Sequence, residues 1–151
     1  MLSLEELKIP GMKNIDYNKT ADNVLEFLTN NLYYPRMHRI YTQANPEHLQ
    51  SPSLSGMPKS NYGNSNEEKM TKYIEAKAIV DGVNQTYSKG SKELRVVLDN
   101  IFGNITTITA MEKLHFEKAR YYQIKKRALN EFADVFEVQN LHCPDLHSYI
   151  K

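Results

Sequence analysis

Residues 117–127 carry five cations, Lys118, Arg120, Lys125, Lys126 and Arg127, against one acid, Glu117. Side chains of this kind suit a polyanion: each can neutralise a backbone phosphate, and lysine can also donate to a guanine edge. Interleaved with them are Ala119, Tyr122 and Gln123. An amide offers a donor beside an acceptor, the pattern that adenine matches in the major groove, while a small alanine permits close approach to a thymine methyl. The same cations would also suit a merely solvated helix face, so their chemistry depends on the elements that hold them.

The element that holds them is a helix expected over Glu117–Phe136. On a wheel of about 100° per residue, Tyr121, Ile124, Ala128, Phe132 and Phe136 share one side with Leu129 and Val135, the core-facing stripe. Ala119, Tyr122, Gln123, Lys126 and Asn130 fall opposite, flanked by Arg120 and Arg127. Lys125 projects near the apolar stripe, where its stem can lie along the helix with the ammonium in water. Glu131, Asp134 and Glu137 crowd the last third. Phosphates would repel that end, so the N-terminal part is the one expected to enter a groove.

Two short helices precede it. Ser91 is the expected N-cap of a helix reaching about Phe102, with Gly103 and Asn104 ending it, and Thr106 or Thr107 caps a second over Ile108–Leu114. The pair His115-Phe116 then leads into the basic helix. A short helix, a tight turn and a longer basic helix make the layout of a helix-turn-helix. A further helix is expected over residues 67–87, with Met70, Tyr73, Ile74, Val80, Val83 and Tyr87 as its apolar side and Ser88-Lys89-Gly90 as its stop.

Upstream, residues 44–66 are dense in Pro, Ser, Asn and Gly, and Pro46, Pro52 and Pro58 each remove a backbone donor. Residues 16–32 carry Asp16 as a cap and a stripe of Ala21, Val24, Leu25, Leu28 and Leu32. Pro35 ends that block or starts a short helix over 36–42. No period-2 run suggests a strand. The expected fold is all-α: an N-terminal helical arm (1–43), a polar linker (44–66), a helix-turn-helix domain (67–138) and a C-terminal tail (139–151).

The segment Phe116–Phe136 resembles the region-4 helix-turn-helix of bacterial sigma factors, through Gln123, Ile124, Arg127, Ala128 and Leu129. The C-terminal half is still more similar to the ArpU-type phage transcriptional regulators, through Ala128-Leu129-Asn130-Glu131-Phe132-Ala133. This resemblance implies sequence-specific promoter binding and activation of phage late or lysis genes. It also implies Lys118, Ala119, Tyr122 and Gln123 as DNA-facing residues. The chain differs from sigma factors at Ala119 and Tyr122, in the absence of glycine from the turn, and in lacking a segment for melting promoter DNA. With Arg120, Lys126 and Arg127 added from the wheel, the candidate DNA-binding set has seven members.

The remaining signals bound the function. The 151 residues, 40% apolar and 25% charged with net charge +1, suit one folded unit with appendages. Cys143 is the single cysteine, which precludes an intramolecular disulfide and fits a reducing compartment. No apolar run nears the roughly 20 residues of a membrane span, and the first residues, MLSLEELKIP, lack a secretory pattern. The expected compartment is the cytoplasm of a bacterial host. His142, Cys143 and His147 give three ligands where zinc takes about four, so no metal is expected and the tail is taken to fray. No nucleophile or phosphate-loop motif occurs, so neither enzyme activity nor a cofactor is expected. Double-stranded DNA is the expected partner, with RNA polymerase and a second copy of the chain as further candidates. The alternatives are a small terminase subunit that binds viral DNA for packaging, and a helical protein-interaction module; Tyr33-Tyr34-Pro35-Arg36 is a candidate partner surface.

Overall fold

A computed structural model describes residues 13–49 and 62–150. In order, its helices are α1 (Tyr17–Thr29), α2 (Tyr34–Gln43), α3 (Pro46–Leu49), α4 (Tyr62–Lys89), α5 (Lys92–Ile101), α6 (Thr107–Leu114) and α7 (Lys118–Glu137). Extended pairing among the described residues is confined to one antiparallel bridge, Ile15 with Tyr149. The fold is all-α, and none of these helices is long and apolar enough to cross a membrane.

Local chemistry sets the starts of these helices. The Asp16 carboxylate accepts from the Lys19 N–H at 3.0 Å, Ser91 Oγ from the Leu94 N–H at 3.1 Å, and Thr106 Oγ1 from the Thr109 N–H at 3.1 Å. Each satisfies a first-turn donor that the helix leaves free. Pro35 sits in the first turn of α2, where its missing N–H costs nothing.

Tertiary packing differs from the sequence expectation in five places. The N-terminal helices do not stand apart as an arm: α1 lies along α7 and α2 along α4. Phe27 of α1 meets Phe136 of α7 with ring centroids 5.2 Å apart, and Tyr41 of α2 meets Tyr73 of α4 at 5.9 Å. The expected linker is partly helical. Residues 46–49 form α3, whose first turn is held by the Asn45 side chain accepting from the Glu47 N–H at 3.2 Å. α4 begins at Tyr62, and α2 and α3 pack along it. Residues 50–61 of that stretch lie outside the described residues.

Two apolar stripes also shift. α1 stops at Thr29, because Asn30 leaves helical geometry and its side chain bonds Glu26 and the Leu32 N–H. Leu32 is thereby turned out, 68% exposed, and Phe27 and Thr20 complete the buried face. On α4 the buried line is Ala76, Ile79, Val80, Val83 and Thr86, while Ile74 is exposed and Met70, Tyr73 and Tyr87 are half-buried. Gly90 closes α4 where a Cβ would stand 2.7 Å from Leu94 Cδ2 and 2.9 Å from Thr86 O.

The C-terminal segment, expected to fray, is docked. Ser148 O accepts from the Asp16 N–H at 2.8 Å, Asn14 O from the Ile150 N–H at 2.9 Å, and Leu146 O from Asn23 Nδ2 at 3.1 Å. Asn140 Nδ2 donates to Ala78 O at 2.9 Å, and Cys143 is buried between α4 and α7. Burial pushes the Cys143 thiol up in pKa, as an apolar site should.

Gly82 makes that docking possible. A Cβ there would lie 2.3 Å from Cys143 Sγ and 3.1 Å from Phe136 Cε1. Gly82→Ala should therefore destabilise the chain by ~1–3 kcal/mol by overpacking, despite the ~1 kcal/mol that alanine gains over glycine inside a helix. In a Cys143→Ala background the loss should shrink. Urea denaturation of the four chains checks this, and an equal loss in both backgrounds would remove Cys143 as the obstacle.

Candidate nucleic-acid interface

The three-helix unit α5–α6–α7 is built around two turns of the same kind. After α5 the Asn104 N–H donates to Asp99 O at 2.9 Å and the Gly103 N–H to Asn100 O at 3.1 Å, with Gly103 at φ 81°. After α6 the Phe116 N–H donates to Met111 O at 3.1 Å and the His115 N–H to Glu112 O at 3.2 Å, with His115 at φ 58°. Both are Schellman motifs. The second needs a left-handed residue and uses histidine where glycine is the usual choice. Its apolar pair, Met111 and Phe116, packs against the core.

Asn100 and Glu131 lock this unit to α7. Asn100 Nδ2 donates to Ile105 O at 3.2 Å, and its Oδ1 accepts from the Tyr121 hydroxyl at 2.9 Å. Tyr121 is fully buried, and that burial, with Tyr122 beside it, raises its pKa. The Glu131 carboxylate accepts from the Ser91 N–H at 2.8 Å and from Ser91 Oγ at 2.7 Å, tying the N-terminus of α5 to the middle of α7. Sequence reasoning read Glu131 only as a charge at the acidic end. A carboxylate forty residues from a capping serine gives no local signal of the bond.

α7 is unevenly covered along its length. Its second half buries Ala128, Leu129, Asn130, Phe132, Ala133 and Phe136, most of its circumference, under α1, α4 and α5. Its first half buries Tyr121 and Ile124 alone. The seven candidate residues Lys118, Ala119, Arg120, Tyr122, Gln123, Lys126 and Arg127 are all exposed, Tyr122 to 49%. They share one continuous side of the first two and a half turns. Among the described residues no carboxylate lies within ion-pair distance of these cations.

Asn130 departs from expectation. Assigned by the wheel to the outer face, it is 8% exposed, and its Nδ2 donates to Tyr17 O at 3.0 Å and Lys126 O at 2.9 Å. The cause is α1, whose first turn covers that sector of α7. Asn130 Oδ1 is buried with no partner among the described residues.

Side chains on the open face are partly ordered. Arg120 Nη1 donates to Gln123 Oε1 at 3.0 Å, and the same guanidinium lies 5.8 Å from the Phe116 ring centroid. Lys125 is half-buried, with Nζ 5.9 Å from the Tyr122 ring centroid. Its stem thus follows the helix surface, which reconciles a cation with a position beside the apolar stripe. A groove beside Gln123, Lys126 and Arg127 is walled by Tyr17 and ends at Glu131 and Asp134. The larger cavity, about 740 Å³, lies between α1, α2, α4 and the C-terminal segment. It is lined by Phe27, Met37, Ile79 and Leu146 and carries Glu26, Glu75 and Asp145. Its apolar floor and acidic side chains do not suit a polyanion.

Of the ligand triplet read from the sequence, Cys143 is buried against Gly82 and Phe136, whereas His147 faces Asp134, Glu137 and Asp145. Sequence spacing brings the three together; the fold directs Cys143 and His147 to different neighbours.

The left-handed turn yields a direct test. His115→Gly should raise stability by up to ~1 kcal/mol, because a Cβ is strained at positive φ. His115→Val should lower it, since a branched Cβ is worse there. Thermal unfolding of the two variants checks the order, and His115→Gly below wild type would place a native contact on the imidazole.

Comparison with protein-family models, with curated proteins and with solved structures finds no match for this chain.

Proposed function

We propose that this chain binds duplex DNA through the first half of α7 and acts as a sequence-specific regulator of transcription. One observation carries the reading. A helix whose second half is core leaves a cationic, amide-bearing and aromatic side uncovered at its start, behind a short helix and a three-residue turn. Four of the five basic residues, Lys118, Arg120, Lys126 and Arg127, lie on that side, with no carboxylate within ion-pair distance among the described residues.

In this reading Arg120, Arg127 and Lys118 meet phosphates and set the register of α7 on the duplex. Gln123, Lys126, Tyr122 and Ala119 face the base edges. The Arg120–Gln123 hydrogen bond holds the amide oriented in the free chain, and it uses the acceptor oxygen. Two-point pairing with adenine needs that oxygen too. That oxygen carries a second lone pair, so Gln123 accepts from a base while Arg120 still holds it in orientation. The resemblance to ArpU-type regulators adds the finer proposal: an activator of phage late or lysis genes in the host cytoplasm, with RNA polymerase as a second partner.

Selection of bound sequences from random duplex DNA, followed by salt titration of the best site, tests the proposal. Gln123→Ala should cost ~1–3 kcal/mol at that site and relax preference at one base position. Arg127→Ala should weaken every sequence and lower the salt slope by about one. Absence of salt-dependent retention on duplex DNA overturns DNA binding itself. Equal losses on specific and random DNA for Gln123→Ala overturn base readout by the amide.

A further inference from the structure

The docked C-terminal segment is held at its centre by one imidazole. The His147 side chain is 5% exposed, and both ring nitrogens face carboxylates. Nε2 is 2.6 Å from Asp134 Oδ1 on α7, while Nδ1 is 2.6 Å from Asp145 Oδ1 and 3.3 Å from Glu137 Oε2. Asp145 also accepts from the His147 backbone N–H at 2.9 Å and from the Tyr149 hydroxyl at 2.6 Å. Lys13 Nζ stands 5.1 Å from the Tyr149 ring centroid. From α1 the neighbours are the Asp16 backbone, whose carboxylate caps its own helix, and the Thr20 and Asn23 side chains.

A neutral imidazole has one N–H and one lone pair. Set among these carboxylates, that lone pair would face an oxyanion at hydrogen-bond distance. The arrangement is satisfied by the imidazolium, which donates from both nitrogens. The two 2.6 Å separations, to Asp134 and Asp145, are those of charge-assisted hydrogen bonds. Both are shorter than the roughly 3.3 Å edge between two ligands that sit ~2.0 Å from a shared tetrahedral ion, so a proton between each pair fits this cluster better than a metal.

We propose that His147 is a proton-operated clamp: as imidazolium it fastens the C-terminal segment to α7, and release of its proton to solvent lets that segment lift from the seam between α1 and α7. The segment it fastens is the one that pairs Tyr149 with Ile15 and carries the buried Cys143. Nothing in this device requires the DNA-binding reading.

The signs agree with the geometry. Burial pulls the His147 pKa down, but its hydrogen bonds to Asp134 and Asp145 and their charges outweigh burial and leave it raised. Its contribution is therefore complete below the ordinary histidine value of about 6.5 and disappears as pH rises through the elevated one. Asp145 runs the other way. Burial raises it, the bonds from Tyr149 and His147 outweigh that, and the net is a lowered pKa. Its contribution is complete above the ordinary carboxylate value and disappears as pH falls through the depressed one. The clamp closes fully between the two. Tyr149, held by Asp145 and pushed up to about 12, remains a donor throughout.

NMR on the full chain tests this, following the His147 ring together with the exchange protection of the Ser148 and Ile150 amides. These donate to Thr20 Oγ1 and Asn14 O, each at 2.9 Å. The ring should titrate above a free histidine, and amide protection should fall about tenfold across the same midpoint, as for loss of one charge-assisted bond. His147→Gln should abolish that pH dependence. If that variant does not fold, Asp134→Asn, which keeps the imidazole and removes one charge, should move ring and amide midpoints down together. A ring midpoint at or below that of free histidine overturns the clamp, as does amide protection indifferent to the titration. So does a rise in thermal midpoint on adding zinc that His147→Gln removes, which would make the cluster a metal site.

Discussion

Phe136 is the point at which segments far apart in sequence must meet. Its ring is fully buried, 5.2 Å from Phe27 of α1 and 5.1 Å from Phe132 one turn earlier on its own helix. Gly82 of α4 opens the space beside it, and Cys143 of the C-terminal segment fills the remainder. Aromatic contacts of this kind add to the area they bury. They also decide where α1 can lie. With α1 fixed at Phe136, its first turn runs back along α7 as far as Asn130, whose Nδ2 donates to Tyr17 O, and stops there. The limit of coverage along α7 follows from that contact and from the thirteen-residue length of α1. What remains uncovered is the basic start of the helix.

Local chemistry was legible in the sequence and long-range chemistry was not. Asp16, Ser91 and Thr106 could be read as caps because each acts on a donor three residues away. The stripe of α7 could be read because Tyr121, Ile124, Ala128, Phe132 and Phe136 face one core. The seven residues assigned to its open face are exposed because nothing else in the described fold reaches them. Asn130 could not be read. Its burial depends on a backbone carbonyl at Tyr17, over a hundred residues away, and an asparagine looks the same in sequence whether it faces water or a helix end. The C-terminal segment misled for a related reason. It lacks apolar periodicity, and its order comes from hydrogen bonds to α1 and from carboxylates on α7 that present no local pattern. Leu32 failed because apolar spacing continued past the point at which the chain turned, and Ile74 because it faces away from the side of α4 on which Tyr73 meets Tyr41 of α2.

The acids of α7 illustrate how far a charge pattern can be taken. Glu131, Asp134 and Glu137 read from the sequence as the end that phosphate would repel. In the folded chain each has an intramolecular partner: Glu131 holds Ser91 at the start of α5, and Asp134 and Glu137 face His147. Their presence therefore needs no reference to DNA, and the charge polarity of α7 is not by itself an argument for groove entry. The cations at the other end of the helix are the reverse case. Among the described residues they have no carboxylate within ion-pair distance, and the fold tolerates their mutual repulsion, although one or two acids at exposed positions would have relieved it. An anionic partner would relieve that repulsion from outside the chain. The proposed duplex is such a partner along the face where α1 ends.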